Sequence, residues 1–166
     1  MRKDVGYMRK IIFTDPNSRK TEISADSLPG LFDSMIRGFP DYWKSGNCAC
    51  DFELFENDVL MKRLSVGFYE ELGLCLTYEE FYDAVVGTVT GKKIQTRLSE
   101  EYLAVYDRDK LDETVDIYYE LYVSKGLLMP PELAWKGIEY FVKHGGQSNE
   151  LEWITPDDIP EEGNWC

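Results

Sequence analysis

One histidine, four cysteines and a scatter of adjacent carboxylates are the residues whose types bear on chemistry. His144 directly precedes Gly145-Gly146 at an expected helix C-terminus, where the helix dipole favours a cation, so its role reads as structural. One histidine does not make a facial metal triad, and there is no CxxC pair. Cys48 and Cys50 sit two apart on an expected strand and point the same way, which suits core packing. A mononuclear site there would still need two ligands from elsewhere. Gly87-Thr88-Val89-Thr90-Gly91-Lys92-Lys93 has three residues between its glycines where a phosphate loop has four. Lys93 also stands where a magnesium-binding hydroxyl is needed. A dinucleotide fingerprint and a GxSxG elbow are missing.

That leaves the carboxylates: Glu70-Glu71, Glu79-Glu80, Glu100-Glu101, Asp112-Glu113, Asp157-Asp158 and Glu161-Glu162. Glycosidase-like chemistry needs two acids held across a cleft, and sequence neighbours do not establish that. The expectation is therefore no catalytic residue, no metal and no cofactor. The acids read instead as solvated faces or as a surface for a basic partner.

Charge favours the second use. With 31 acidic and 18 basic residues the net charge is −13. Such a field repels nucleic acid and anionic lipid and speeds encounter with basic proteins. Aromatic residues reach 14%, including 11 tyrosines, and tyrosine suits interfaces because it joins apolar area to one polar handle. Acids and tyrosines coincide three times: Tyr69-Glu70-Glu71 in a turn, Tyr78-Glu79-Glu80, and Asp116, Tyr118 and Glu120 on one strand face. These nine residues are the candidate partner-binding set, through charge-assisted hydrogen bonds and cation–π contacts to Arg and Lys.

The elements that must position them follow from periodicity. A strand is expected over Tyr7–Thr14, stopped by Asp15-Pro16-Asn17-Ser18. Leu28, Leu31, Phe32, Met35 and Ile36 recur at helical spacing up to Gly38. Period-two runs then give strands over Cys48–Phe55, Val59–Val66 and Leu72–Tyr78, whose short turns imply an antiparallel meander. Residues 79–93 are ambiguous between helix and strand, and 94–106 are weakly determined. A further strand is expected over Thr114–Val123, then a proline-led helix from Pro130-Pro131 to Gly145, then a short extended piece at Trp153.

The fold class expected is α+β: a mainly antiparallel sheet with an N-terminal helix and a C-terminal helix packed on it. Residues 1–154 read as one domain and 155–166 as a loose acidic tail. Ile11-Ile12-Phe13 is too short for a signal-peptide core, and no later run approaches membrane-spanning length, so a cytoplasmic protein with reduced thiols is expected.

The C-terminal third resembles a known family. The proline-led helix through Phe141, the glycine turn at Gly145 and the strand Leu151-Glu152-Trp153 are similar to the closing signature of the first-numbered immunity-protein family of bacterial polymorphic toxin systems. Leu64-Ser65-Val66-Gly67-Phe68 with Gly73-Leu74-Cys75-Leu76 resembles that family's central hairpin. The turn Gly145–Asn149 lacks the proline expected after the glycine. The resemblance implies a structural role for Phe141 and Trp153. It also implies an antidote that binds a cognate secreted toxin domain, a deaminase or nuclease with a basic cleft, with no direct contact to nucleic acid or membrane. Two other readings stand beside it: a carboxylate-dependent hydrolase, which needs an enclosed pocket with two inward acids of raised pKa, and an acidic nucleic-acid mimic that regulates another factor.

Overall fold

The structure is a computed structural model that describes residues 6–44, 46–118 and 121–163. It opens with β1 (Arg9–Thr14) and β2 (Lys20–Ile23), an antiparallel pair. The Asp15 carboxylate closes the turn between them by accepting from the Asn17 and Arg19 amides, both at 2.9 Å. This Asx geometry is why the turn cluster stops β1.

The chain therefore does not lead with a helix, and the element expected as the N-terminal helix is not a regular one. Residues 25–37 form a 3₁₀ turn, five residues of α-helix (α1, Leu28–Phe32) and five residues of wider π-type winding. The apolar spacing is helical and Pro29 sits in the first turn, where its missing amide costs nothing, but Gly30 lowers the propensity for α-helix and Gly38 ends the run. Leu28, Met35 and Ile36 still reach the core.

Strands β3 (Ala49–Glu56), β4 (Val59–Phe68), β5 (Leu74–Val89) and β6 (Lys92–Val105) follow as an antiparallel meander. Both central residues of the β3–β4 and β5–β6 turns have positive φ: Asn57 and Asp58 at 48° and 65°, Thr90 and Gly91 at 50° and 77°. That twist matches the flanking strands. After an antiparallel pair β7 (Thr114–Tyr118) and β8 (Leu121–Ser124) come α2 (Pro131–His144) and β9 (Glu152–Ile154). The main sheet runs β2-β1-β3-β4-β5-β6-β9. The single strand expected over Thr114–Val123 is thus two strands paired to each other.

Each face of the sheet carries a core. On one side α2 and residues 25–37 cover Ile11, Phe13, Phe52, Leu54, Leu64, Val66, Leu74, Leu76 and Tyr78. Phe141 is fully buried from α2, and Trp153 packs beside it; their rings lie 6.2 and 5.9 Å from that of Tyr78. Trp153 Nε1 donates to the Ser148 carbonyl at 2.9 Å, fixing the return from helix to strand. Gly145 ends α2 at φ 69°, a left-handed cap that also lies against the Arg9 guanidinium and Leu54. On the other face a smaller core joins Cys75, Leu103, Val105 and Ile154 to Leu111, Val123, Leu127 and Leu128.

Strands β5 and β6 outrun the sheet. Pairing of β5 with β4 ends at Lys62–Glu80, and β6 meets β9 only at Leu103–Val105. The residues beyond, Phe81–Val89 and Lys92–Ser99, pair with each other as a two-stranded arm with a bulge between Val85 and Gly87.

Candidate protein-binding surface

The register of the arm's root decides which charges meet. On the face towards α2, one rung runs Lys62, Glu80, Glu100 across β4, β5 and β6. On the opposite face the adjacent rung runs Glu53, Arg63, Glu79, Glu101 across β3 to β6. Glu79 thus stands opposite Glu101, and Glu80 opposite Glu100. Like charges in directly opposed positions destabilise a ladder.

Compensation is uneven. Arg63 forks between Glu53 at 3.0 Å and Glu79 at 3.3 Å, and its guanidinium lies 5.3 Å from the Phe81 ring centre. Burial works against the Arg63 cation, but the bond to Glu53 and the charges of Glu53, Glu79 and Asp51 outweigh it, so its pKa is raised. Tyr78 donates to Glu80 at 2.7 Å and Tyr102 to Glu100 at 2.9 Å. Among the described residues, neither Glu100 nor Glu101 has an ion-pair partner. The Glu101 carboxyl is raised above its ordinary value, first by burial and then by the neighbouring Glu79 charge. Glu100, Glu101 and Tyr102 share an open cleft with Thr155 and Asp157, so a third acid faces the same space. The carboxylate surplus sits where β6 leaves the sheet.

The nine candidate residues do not form one surface. Tyr69 and Glu70 lie at the β4–β5 turn, Tyr69 half-buried against the smaller core and Glu70 exposed. Asp116 is exposed on β7, whose neighbour Val115 shares a shallow pocket with Leu72 of that turn. Glu79 and Glu80 are about 20 Å away along β5, at about 3.3 Å per residue. The side chains of Glu71 and Tyr118, and Glu120 entirely, lie outside the described residues. Tyr78 departs from the expected exposed contact: it is 1% exposed, and burial, then the bond to Glu80, pushes its phenol well up. Its position opposite Leu64 on the α2 face explains this, because every second residue of β5 up to Tyr78 faces the core.

Sequence reasoning passed over Glu100 and Glu101 as partners of Glu79 and Glu80. The signal was two acid pairs flanking a hairpin turn, their distances from its centre differing by the one residue of the bulge between Val85 and Gly87. It is readable only once 79–106 is known to be that hairpin.

A groove of about 660 Å³ separates α1 from α2, lined by Leu28, Phe32 and Trp135. The acids at its edge, Asp33 and Glu139, pair with Arg37 and Lys143 at 3.4 and 3.3 Å. Among the described residues no group of three or more His, Cys, Asp or Glu is placed to hold a metal, and no helix is long and apolar enough to cross a membrane. Cys48 and Cys50 are free thiols, and burial pushes the Cys50 thiol up; Cys166 lies outside the described residues. Comparison of the chain with family models, curated proteins and solved structures finds no match.

Proposed function

We propose that this chain acts by binding a basic protein, as an immunity protein that occludes the cleft of a cognate secreted toxin domain. One observation carries the reading: four glutamates occupy two adjacent rungs at the arm's root, and among the described residues only Glu79 of the four has an ion-pair partner. That arrangement costs stability in the free chain. A partner's Arg or Lys placed against Glu100 or Glu101 relieves it, so the charge repulsion becomes binding energy. The net charge of −13 draws such a partner in.

The packing of Phe141 and Trp153 on Tyr78 is compatible with the family resemblance, which supplies the toxin as the class of partner. The hydrolase alternative has one point in its favour, the raised Glu101 carboxyl. Against it, Glu79 is held by Arg63 and the pair lies on an open sheet face rather than in an enclosed pocket. Sequencing the genes beside this one for a secreted toxin domain, and co-expressing the chain with that domain, tests the proposal. Survival of the cells supports it. Death of cells that contain soluble chain overturns it.

A further inference from the structure

We propose that the α2-side face of the β5–β6 arm is a self-association surface. Two copies of this chain stack their arms face to face and antiparallel, each lysine tip on the other's glutamate root.

The arm is amphipathic across its thickness. Strand alternation puts Tyr82, Val89, Ile94 and Leu98 on the α2 side, the side of Glu80 and Glu100, and there they are 40–58% exposed. The opposite face is mostly polar: Asp83 and Arg97 pair at 3.2 Å, Thr88 stands beside Lys93, and Val85 beside Gln95. Val86 is the bulge residue. A ribbon apolar on one face is covered by a single surface laid flat against it.

The charges on that same face select the surface. Glu80 and Glu100 stand at its root, Lys92 stands beside Val89 at its tip, and the rungs between carry no charge on this side. Among the described residues neither Glu100 nor Lys92 has an ion-pair partner. The middle rung of the face is Ala84–Thr96. A two-fold axis along that rung lays Lys92 on the second copy's Glu100, and Ile94 on its Leu98. It also lays Tyr82 over Gly87, where no side chain stands in the way. The small side chains of Ala84 and Thr96 fall on the axis itself. An isologous contact must be self-complementary in this manner. The parallel arrangement sets root on root and is opposed by like charge.

Strand geometry makes the face about 30 Å long and about 10 Å wide, roughly 300 Å² per copy against about 800 Å² in a standard interface. With −13 on each chain, the dimer is expected to be weak, with a Kd on the order of 100 μM. Glu79 and Glu101 lie on the other face and stay open, so the dimer does not rest on the toxin reading.

Sedimentation equilibrium of the full chain at concentrations spanning that Kd tests the proposal, with the folding of each variant checked by circular dichroism. The parent is expected to dimerise. Lys92→Glu and Glu100→Lys each set like charges together at both contacts and are expected to weaken the dimer about tenfold or more. Both substitutions in one chain restore opposite charges and leave the net charge at −13, so dimerisation returns. The two single variants also pair with each other when mixed, since each supplies the charge that the other needs. Tyr82→Ser, on β5, is expected to weaken the dimer about fivefold or more. A parent that stays monomeric throughout overturns the proposal. So do single variants that dimerise like the parent, and a double variant or a mixture that stays as weak as the singles. Unchanged dimerisation of Tyr82→Ser assigns the contact to the outer edge of β6 and overturns the face-to-face arrangement.

Discussion

Glu79 and Glu101 face each other across the β5–β6 ladder, and only Glu79 is held by a cation, the Arg63 guanidinium 3.3 Å away. The consequence for Glu101 is a carboxyl that resists ionising, pushed up by burial and by Glu79. Folding then favours the protonated form. This contribution is fully present below the ordinary glutamate range and is lost as pH rises through the raised folded value. Glu101→Gln is therefore expected to stabilise the chain at pH 7 by roughly 0.5 kcal/mol, about 1–2 °C in Tm. The gain shrinks towards zero as pH falls to about 4. Thermal melts of both proteins between pH 4 and 7.5 check this; a gain that grows on acidification contradicts it.

Arg63 is the cation that makes the open face tolerable. Its side chain is 30% exposed and its partners Glu53 and Glu79 only 14% and 19%. Arg63→Met strands two carboxylates and is expected to cost roughly 1–2 kcal/mol in urea unfolding. Adding Glu79→Gln should recover part of that loss, since the two residues are in contact and their effects do not add. Strict additivity would show that the pair is not coupled.

Gly145 combines the left-handed cap of α2 with close approach to Arg9 and Leu54. Gly145→Ala is expected to cost about 1–2 kcal/mol from backbone strain alone. A melting temperature within 1 °C of the parent would remove the cap from the account.

The arm is expected to be dispensable for folding. Joining Asp83 to Arg97 through Asn-Gly in place of residues 84–96 removes mostly exposed residues outside both cores. Its Tm in dilute solution is expected to stay within about 3 °C of the parent. A larger fall would make the arm part of what holds the sheet together.

How far the sequence reveals all this follows one physical rule. The central strands are legible because one face is buried and the alternation is written in residue type, as in Cys50, Phe52 and Leu54 against Asp51 and Glu53. The arm is obscure because neither of its faces meets a core, so Val85-Val86 and Thr88-Val89 show no alternation to read. Its turn is hidden too: Asn57-Asp58 announces a hairpin, whereas Thr90 is an unusual residue at positive φ. The acids of the site are visible as types, but their opposition across β5 and β6 is a fact of register. Tyr78 misleads for the same reason, since its place on the buried face depends on how β5 pairs with β4.

The central claim is that the arm's root, and not acidity in general, receives the partner. Glu101→Lys and Glu70→Lys change the net charge equally but at separate places, the first on β6 opposite Glu79 and the second in the β4–β5 turn. Glu101→Lys also converts a repelling rung into an attracting one, so its Tm is expected to rise by about 1–2 °C. Stopped-flow association with the neighbouring gene's toxin domain at low salt is the measurement. The account predicts about tenfold slower association for Glu101→Lys and less than about twofold for Glu70→Lys. Equal slowing by the two, or a larger effect at Glu70, would contradict it.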